Sequence, residues 1–187
     1  MEVIESFRVR IRGVRPLLMH SPLSLMEGEG GRKRGVRPDP REDAEKALYR
    51  DPKTGRISVP AYAIKAAIRD ASRDFKVPGK GRRKFTNYVK AGIIIEPEWI
   101  PLETGDKDPE EAWEIDLRPV VVQKSRIIRA RPRFDEWSLE FTVRIVDPII
   151  TPEYLKEFII AAGKYHGLLD FRPEFGLFKL EKFEKEE

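Results

Sequence analysis

The sequence predicts an α+β fold, and three observations predict it. Residues 6–13 alternate strictly, with Phe7, Val9 and Ile11 facing one way and Arg8, Arg10 and Arg12 the other, which is the period of a half-buried strand. Ala61, Ile64, Ala67, Ile68 and Ala71 recur at helical spacing and form one apolar stripe. Trp137, Leu139, Phe141, Val143 and Ile145 alternate again before a second helical stretch. The chain therefore runs strand, helix, strand, a long excursion, strand, helix, strand. That is a split βαβ order read twice, a ferredoxin-like core with a long inserted hairpin and basic loops.

The first strand, 6–13, turns three guanidinium groups to its open face. They meet either nucleic acid or cross-strand acids. Pro16 breaks a central ladder, so Val14 to Met19 reads as a bend into a short extended piece. Residues 21–48 form a loop and helix insertion. Glu27 to Gly31 is Gly-rich, and Arg32, Lys33, Arg34, Arg37 and Arg41 make a dense basic patch, expected to be a binding loop. Asp39 and Pro40 start a helix with Glu42 and Asp43 in its first turn, which accounts for these acids without catalysis.

Asp51 to Gly55 is a turn, and Ile57 and Val59 flank Ser58 in a short strand. Pro60 is expected at the first helical position. Lys65, Arg69 and Arg73 follow every four residues and line one side of that helix,. Lys76 to Lys84 is a second basic loop, with Lys80, Arg82, Arg83 and Lys84 as its candidate phosphate contacts. Phe85 and Tyr88 follow it, either as base-stacking rings or as core. Gly92 to Ile95 is a buried strand that Trp99 to Leu102 extends. Residues 103–136 are an insertion, a long hairpin whose return arm carries Arg126, Arg129, Arg131 and Arg133. Thr151 caps a helix to about Tyr165, Phe175 to Phe183 is the last strand, and a charged tail follows.

Two stretches carry a resemblance. The segment S-V-P-A-Y-A-I-K-A-A-I-R resembles the I-P-G-S-S-L-K-G-A-L-R segment of the repeat-associated mysterious proteins, the superfamily of CRISPR effector backbones. Pro60, Lys65, Ala67 and Arg69 match, and Ala61 and Ala66 stand where that family usually has Gly. The stretch from Gly163 to Gly167 through Arg172 to Phe178 is similar to the family's glycine-rich loop, with Phe175 and Gly176 kept and Glu174 in place of a Gly. The resemblance implies a ferredoxin-like core with a thumb-like hairpin insertion at 103–136, one domain over 1–187, and a role in antiviral defence.

Composition sets the other limits. A chain of 187 residues with 40% hydrophobic and 36% charged content suits one ionised globular domain. No apolar run is long enough for a membrane span, and the N-terminus lacks signal-peptide regions. Cysteine is absent, so disulfides and thiolate metal sites are excluded, and the chain reads as cytoplasmic. Few Met and many Lys, Glu and Arg resemble thermophile composition. Charge is segregated: residues 1–90 hold 22 bases and 11 acids, and residues 91–117 hold one base and nine acids. The basic part suits a polyanion, and the acidic part suits a neighbouring copy; both also read as solvated surface.

His20 and His166 are the two histidines. If they met, they would serve as acid and base in metal-independent RNA cleavage, a mode the resemblance allows. Asp39 and Asp51 have structural explanations, and no nucleotide-hydrolase or serine-nucleophile motif occurs. Gly163, Gly167 and Gly176 read as tight turns beside a bound strand or as a helix cap. The expected function is coating of single-stranded RNA or DNA by adjacent copies, through Lys65, Arg69, Arg73, Lys80, Arg82, Arg83, Lys84, Arg126, Arg129 and Arg131. Other copies and other effector subunits are the expected partners, with no cofactor, metal or membrane. The alternatives are a metal-independent endoribonuclease and a structural or assembly protein of a virus or mobile element.

Overall fold

The computed structural model describes residues 2–22, 39–122 and 124–187. The basic patch at Arg32, Lys33, Arg34 and Arg37 lies outside them. The described residues form a mixed α+β fold with antiparallel sheets and four α-helices. The strands are β1 (Glu5–Gly13), β2 (Leu17–Leu18), β3 (Ser58–Pro60), β4 (Ile93–Glu96), β5 (Trp99–Pro101), β6 (Trp113–Val122), β7 (Ser125–Phe134), β8 (Ser138–Ile145) and β9 (Phe178–Glu186). The helices are α1 (Pro40–Lys46), α2 (Ala61–Ala71), α3 (Thr86–Gly92) and α4 (Pro152–Ala161).

The main sheet runs in the order β4-β8-β1-β9, every pair antiparallel. Phe7, Val9 and Ile11 of β1 are buried against Leu139, Phe141 and Val143 of β8 and against helices α2 and α4. α2 contributes Ile64, Ala67, Ile68 and Ala71, the stripe its periodicity marks. Each buried isoleucine stabilises the fold by roughly 1.5–3 kcal/mol. α4 starts at Thr151, whose Oγ1 accepts from the Tyr154 N–H at 3.4 Å, and buries Leu155, Phe158 and Ile159. Its last turn widens over Ala162–His166. Gly163 lies there because a Cβ would collide with the Phe178 carbonyl; the missing side chain lets the end of α4 rest on β9.

β6 and β7 pair along their full length and form the long hairpin, to which β2 adds a short third strand. α1 is capped by Asp39, which accepts from the Arg41 N–H at 2.9 Å. Arg41 stacks over the Trp113 ring at 4.6 Å.

Some elements depart from expectation. Pro60 is the N-cap of α2, with extended backbone, and the helix begins at Ala61. Trp99 to Leu102 does not extend β4. β5 pairs instead with β3, placing Val59 opposite Ile100, after a cis peptide between Glu96 and Pro97. The last strand begins later, at Phe178, and takes most of the charged tail into the sheet, where Glu184 and Lys185 lie opposite Arg8 and Phe7. Phe85 is fully buried against Tyr154 and Phe158, so it is core rather than a stacking platform.

Candidate nucleic-acid interface

The arginines of β1 find acids on both neighbouring strands. Arg10 reaches Glu103 at 2.5 Å, Glu140 at 3.3 Å and Glu181 at 3.6 Å. Arg8 pairs with Glu140 and Glu186, each at 3.6 Å. Arg12 pairs with Glu136 at 3.2 Å and Glu181 at 3.6 Å. Of the two readings of this face, cross-strand pairing is the one observed.

The α2 cations are also engaged. Lys65 Nζ donates to the Ile93 carbonyl at 2.8 Å, tying α2 to the start of β4, and burial lowers its pKa from the ordinary lysine value. Arg69 donates to Asp70 from Nε at 3.1 Å and Nη2 at 2.8 Å. Arg73 shares that carboxylate at 3.2 Å. The loop that follows is different. Arg82, Arg83 and Lys84 are exposed, and among the described residues none of them has a carboxylate partner. Lys80 Nζ lies 5.8 Å from the Tyr88 ring centroid, on α3. Gly79 and Gly81, with φ of 71° and 64°, shape the loop.

A second group gathers at the other end of α2, a helix of 11 residues and so roughly 16 Å long. Here the hairpin, the end of β2 and the loop between α4 and β9 converge. Arg129 Nη1 lies 3.0 Å from His20 Nε2. Arg131 is 4% exposed and forms an ion pair through Nε with Asp170; its buried Nη1 has no hydrogen-bond partner among the described residues. His20 Nδ1 is 3.8 Å from the same carboxylate. Burial is the largest influence on His20 and lowers its pKa; Asp170 opposes this, and Arg129 and Arg131 reinforce it. The neutral imidazole can therefore accept from Arg129 at Nε2.

The loop from Gly167 to Gly176 closes on itself, with the Leu168 N–H donating to the Gly176 carbonyl at 3.0 Å and the Phe175 N–H to the Phe171 carbonyl at 3.1 Å. Leu169 and Phe171 hold φ of 60° and 58°, left-handed backbone that costs a non-glycine residue free energy and tends to cluster at functional sites. Arg118, bound to Asp116 at 2.7 and 3.2 Å, lies over the rings of Phe171 and Phe175.

A pocket of about 260 Å³ opens at this junction, lined by residues that include His20, Tyr49, Tyr62, Ala63, Ala66 and Asp170. Ala63 and Ala66 keep the helix wall low. Burial raises the Tyr49 pKa, and its hydrogen bond with Tyr62 adds to the effect, so the phenol stays neutral. His166 does not line the pocket, and no hydrogen bond or ion pair joins it to His20 among the described residues. Of the residues expected from sequence, Arg129 and Arg131 stand in this group, and Arg126 sits near the hairpin tip opposite Val121. Tyr49, Tyr62, Arg118 and Asp170 were not anticipated. The one available signal was Asp170 inside the altered glycine-rich loop. Asp51 accepts from the Lys53 N–H and the Thr54 hydroxyl, the turn role expected of it. Among the described residues no cluster of three or more His, Asp or Glu could hold a metal, and no helix is long and apolar enough to cross a membrane.

No protein-family profile matches the chain, and no curated protein matches it in sequence. Its fold does match a known structure. A chain from the cryo-EM structure of the Type III-B Cmr-beta bound to cognate target RNA superposes with a TM-score of 0.64 at 12% identity. The match covers 97% of this chain and 60% of that one. The two chains share a fold. This chain spans less than two thirds of the other's length.

Proposed function

We propose that the chain binds single-stranded RNA and coats it as adjacent subunits, in the manner of repeat-associated mysterious proteins in CRISPR effector backbones. The sheet order β4-β8-β1-β9, with helices over its apolar face, supports a ferredoxin-like core. On that reading, residues 1–187 are one domain, with a loop and helix insertion at 21–48 and a thumb-like insertion at 103–136. The observation that carries the function is the loop Lys76 to Lys84. Arg82, Arg83 and Lys84 project into solvent without acids to neutralise them, and Lys80 sits beside the Tyr88 ring. Free cations beside an aromatic ring suit a phosphate backbone and a stacked base. Arg129, beside His20 at the other end of α2, adds a cation that has no carboxylate partner among the described residues. The structural neighbour is an RNA-bound assembly, which favours RNA over DNA and effector subunits as partners.

Size exclusion with light scattering, on nuclease-treated protein with single-stranded RNA of several tens of nucleotides and DNA of the same sequence, tests this. Mass grows in subunit steps with strand length. With about four phosphate contacts per subunit, affinity drops about fiftyfold between 50 and 200 mM salt. A monomer that leaves both strands free overturns the reading.

One observation favours a second reading. His20 lies beside a pocket and suits a general base toward a ribose 2′-hydroxyl once a substrate phosphate draws Arg129 away from Nε2,. Cleavage of RNA in EDTA that is lost in His20→Ala would establish a metal-independent endoribonuclease.

A further inference from the structure

β9 is the outer strand of the main sheet, and its pairing with β1 sorts its side chains. Leu180 lies opposite Ile11 and Phe183 opposite Val9, on the core face. Lys179 lies opposite Arg12 and Lys182 opposite Arg10, on the arginine face. The register shift between Arg10 and Ile11 lets Leu180 and Phe183 keep one face although their spacing in the chain is odd,. One edge of β9 bonds to β1. The other edge carries main-chain N–H and C=O groups that no strand pairs among the described residues, and such an edge is a template for another strand.

Beside that edge runs a groove of about 640 Å³ between β9 and α4. Ile160, Leu177, Leu180 and Phe183 give it apolar walls. Phe183 is fixed there by stacking on Phe7, with ring centroids 4.6 Å apart. Lys156 and Lys164 rim the groove on the helix side, and Lys179 and Lys182 on the strand side. Glu181 is the one acid that lines it, and Arg10 and Arg12 hold that carboxylate. Lys182 pairs with Glu184 at 3.2 Å; among the described residues Lys156, Lys164 and Lys179 have no carboxylate partner.

We infer that this groove takes an extended, acidic segment of a partner protein, which adds a strand to the free edge of β9. Three observations meet in that occupant. The open edge is answered by main-chain groups in strand register, which a polypeptide supplies. Every second side chain of the added strand faces Leu180, Phe183 and Ile160, so those positions are apolar. The positions between them fall on the arginine face beside Lys179 and Lys182, where opposite charge is favoured. The segment therefore alternates apolar and acidic residues. A nucleic acid would meet the lysines and leave the strand edge unpaired. None of the groove residues is assigned to RNA above.

The probe is a fluorescein-labelled peptide of about ten residues alternating valine and glutamate, read by fluorescence anisotropy on the full chain. Saturable binding is expected, with a peptide alternating valine and lysine at least about tenfold weaker. Two further probes are N-methylated, one at every valine nitrogen and the other at every glutamate nitrogen. Successive residues of a strand turn their N–H groups to opposite edges, so one of these peptides binds and the other does not. No binding of the parent peptide, or like behaviour of the two methylated ones, overturns the inference. Lys179→Glu with Lys182→Glu is expected to weaken the glutamate peptide about tenfold and to strengthen the lysine peptide, the gain showing that the variant is folded. Unchanged affinity for both rejects the contact. Displacement of the peptide by single-stranded RNA assigns the groove to nucleic acid and overturns the inference as well. The peptide affinities need no RNA, so they stand or fall apart from the coating role.

Discussion

Two basic regions look alike in the sequence and differ in the fold. β1 presents Arg8, Arg10 and Arg12 on one face, and the loop after α2 presents Arg82, Arg83 and Lys84. The β1 arginines are held by Glu103, Glu136, Glu140, Glu181 and Glu186, from three stretches far apart in the chain. The loop cations meet no carboxylate among the described residues. A cation that already has acids would exchange one partner for another on meeting a phosphate, whereas an unpaired cation gains one. Pairing, rather than the density of positive charge, separates a structural arginine from a binding one.

The largest expected effect breaks this comparison directly. Arg82→Glu with Arg83→Glu lowers affinity for a labelled single-stranded RNA by about tenfold or more, measured by fluorescence anisotropy. Arg8→Gln with Arg12→Gln leaves affinity within about twofold, because phosphate contacts set the affinity and these arginines face acids instead. A loss of binding in the β1 variant would put the strand on the sheet.

A smaller effect sharpens the other side. Arg10 is the most enclosed of the three and carries the largest share of the network. Arg10→Gln leaves Glu103 without its cation and takes one of two from Glu140 and Glu181, and is expected to cost about 1–2 kcal/mol, seen as a fall of about 3–6 °C in Tm. Arg82→Gln leaves Tm unchanged, since the loop side chain stabilises no contact.

Much of the fold was legible because burial imposes a period. The alternation at 6–13 and the stripe of α2 are direct readings of which side chains face the core. Asp39 and Thr151 were legible as caps because a helix N-terminus needs a short acceptor. What was lost depended on partners distant in sequence. Lys65 has the spacing of a free ridge with Arg69 and Arg73, but the distant Ile93 carbonyl takes it up; Arg69 and Arg73 are taken up locally, by the neighbouring Asp70. The pocket joins His20, Tyr49, Tyr62 and Asp170 from four separate segments, and no spacing rule reaches across them. Leu169 and Phe171 adopt left-handed backbone without the glycine that would announce it, so the shape of that loop had no local signal.

The smallest expected effect asks whether the strand runs from the free loop to the His20 group. The folded protein holds the His20 pKa below its ordinary value of 6.5. The unfolded chain therefore binds the proton first as pH falls. Stability from this group is complete above 6.5 and declines as pH drops toward the folded value. His20→Gln, which keeps an acceptor for Arg129, removes that part of the decline in Tm between about pH 7.5 and 5.5. RNA bound at this end adds an opposite pull, because a phosphate near the imidazole favours its protonated form. Wild-type affinity then rises as pH falls through the same window, and His20→Gln affinity does not. Equal pH profiles for the two proteins would confine the strand to the Lys76 to Lys84 end of α2 and leave the pocket to another ligand.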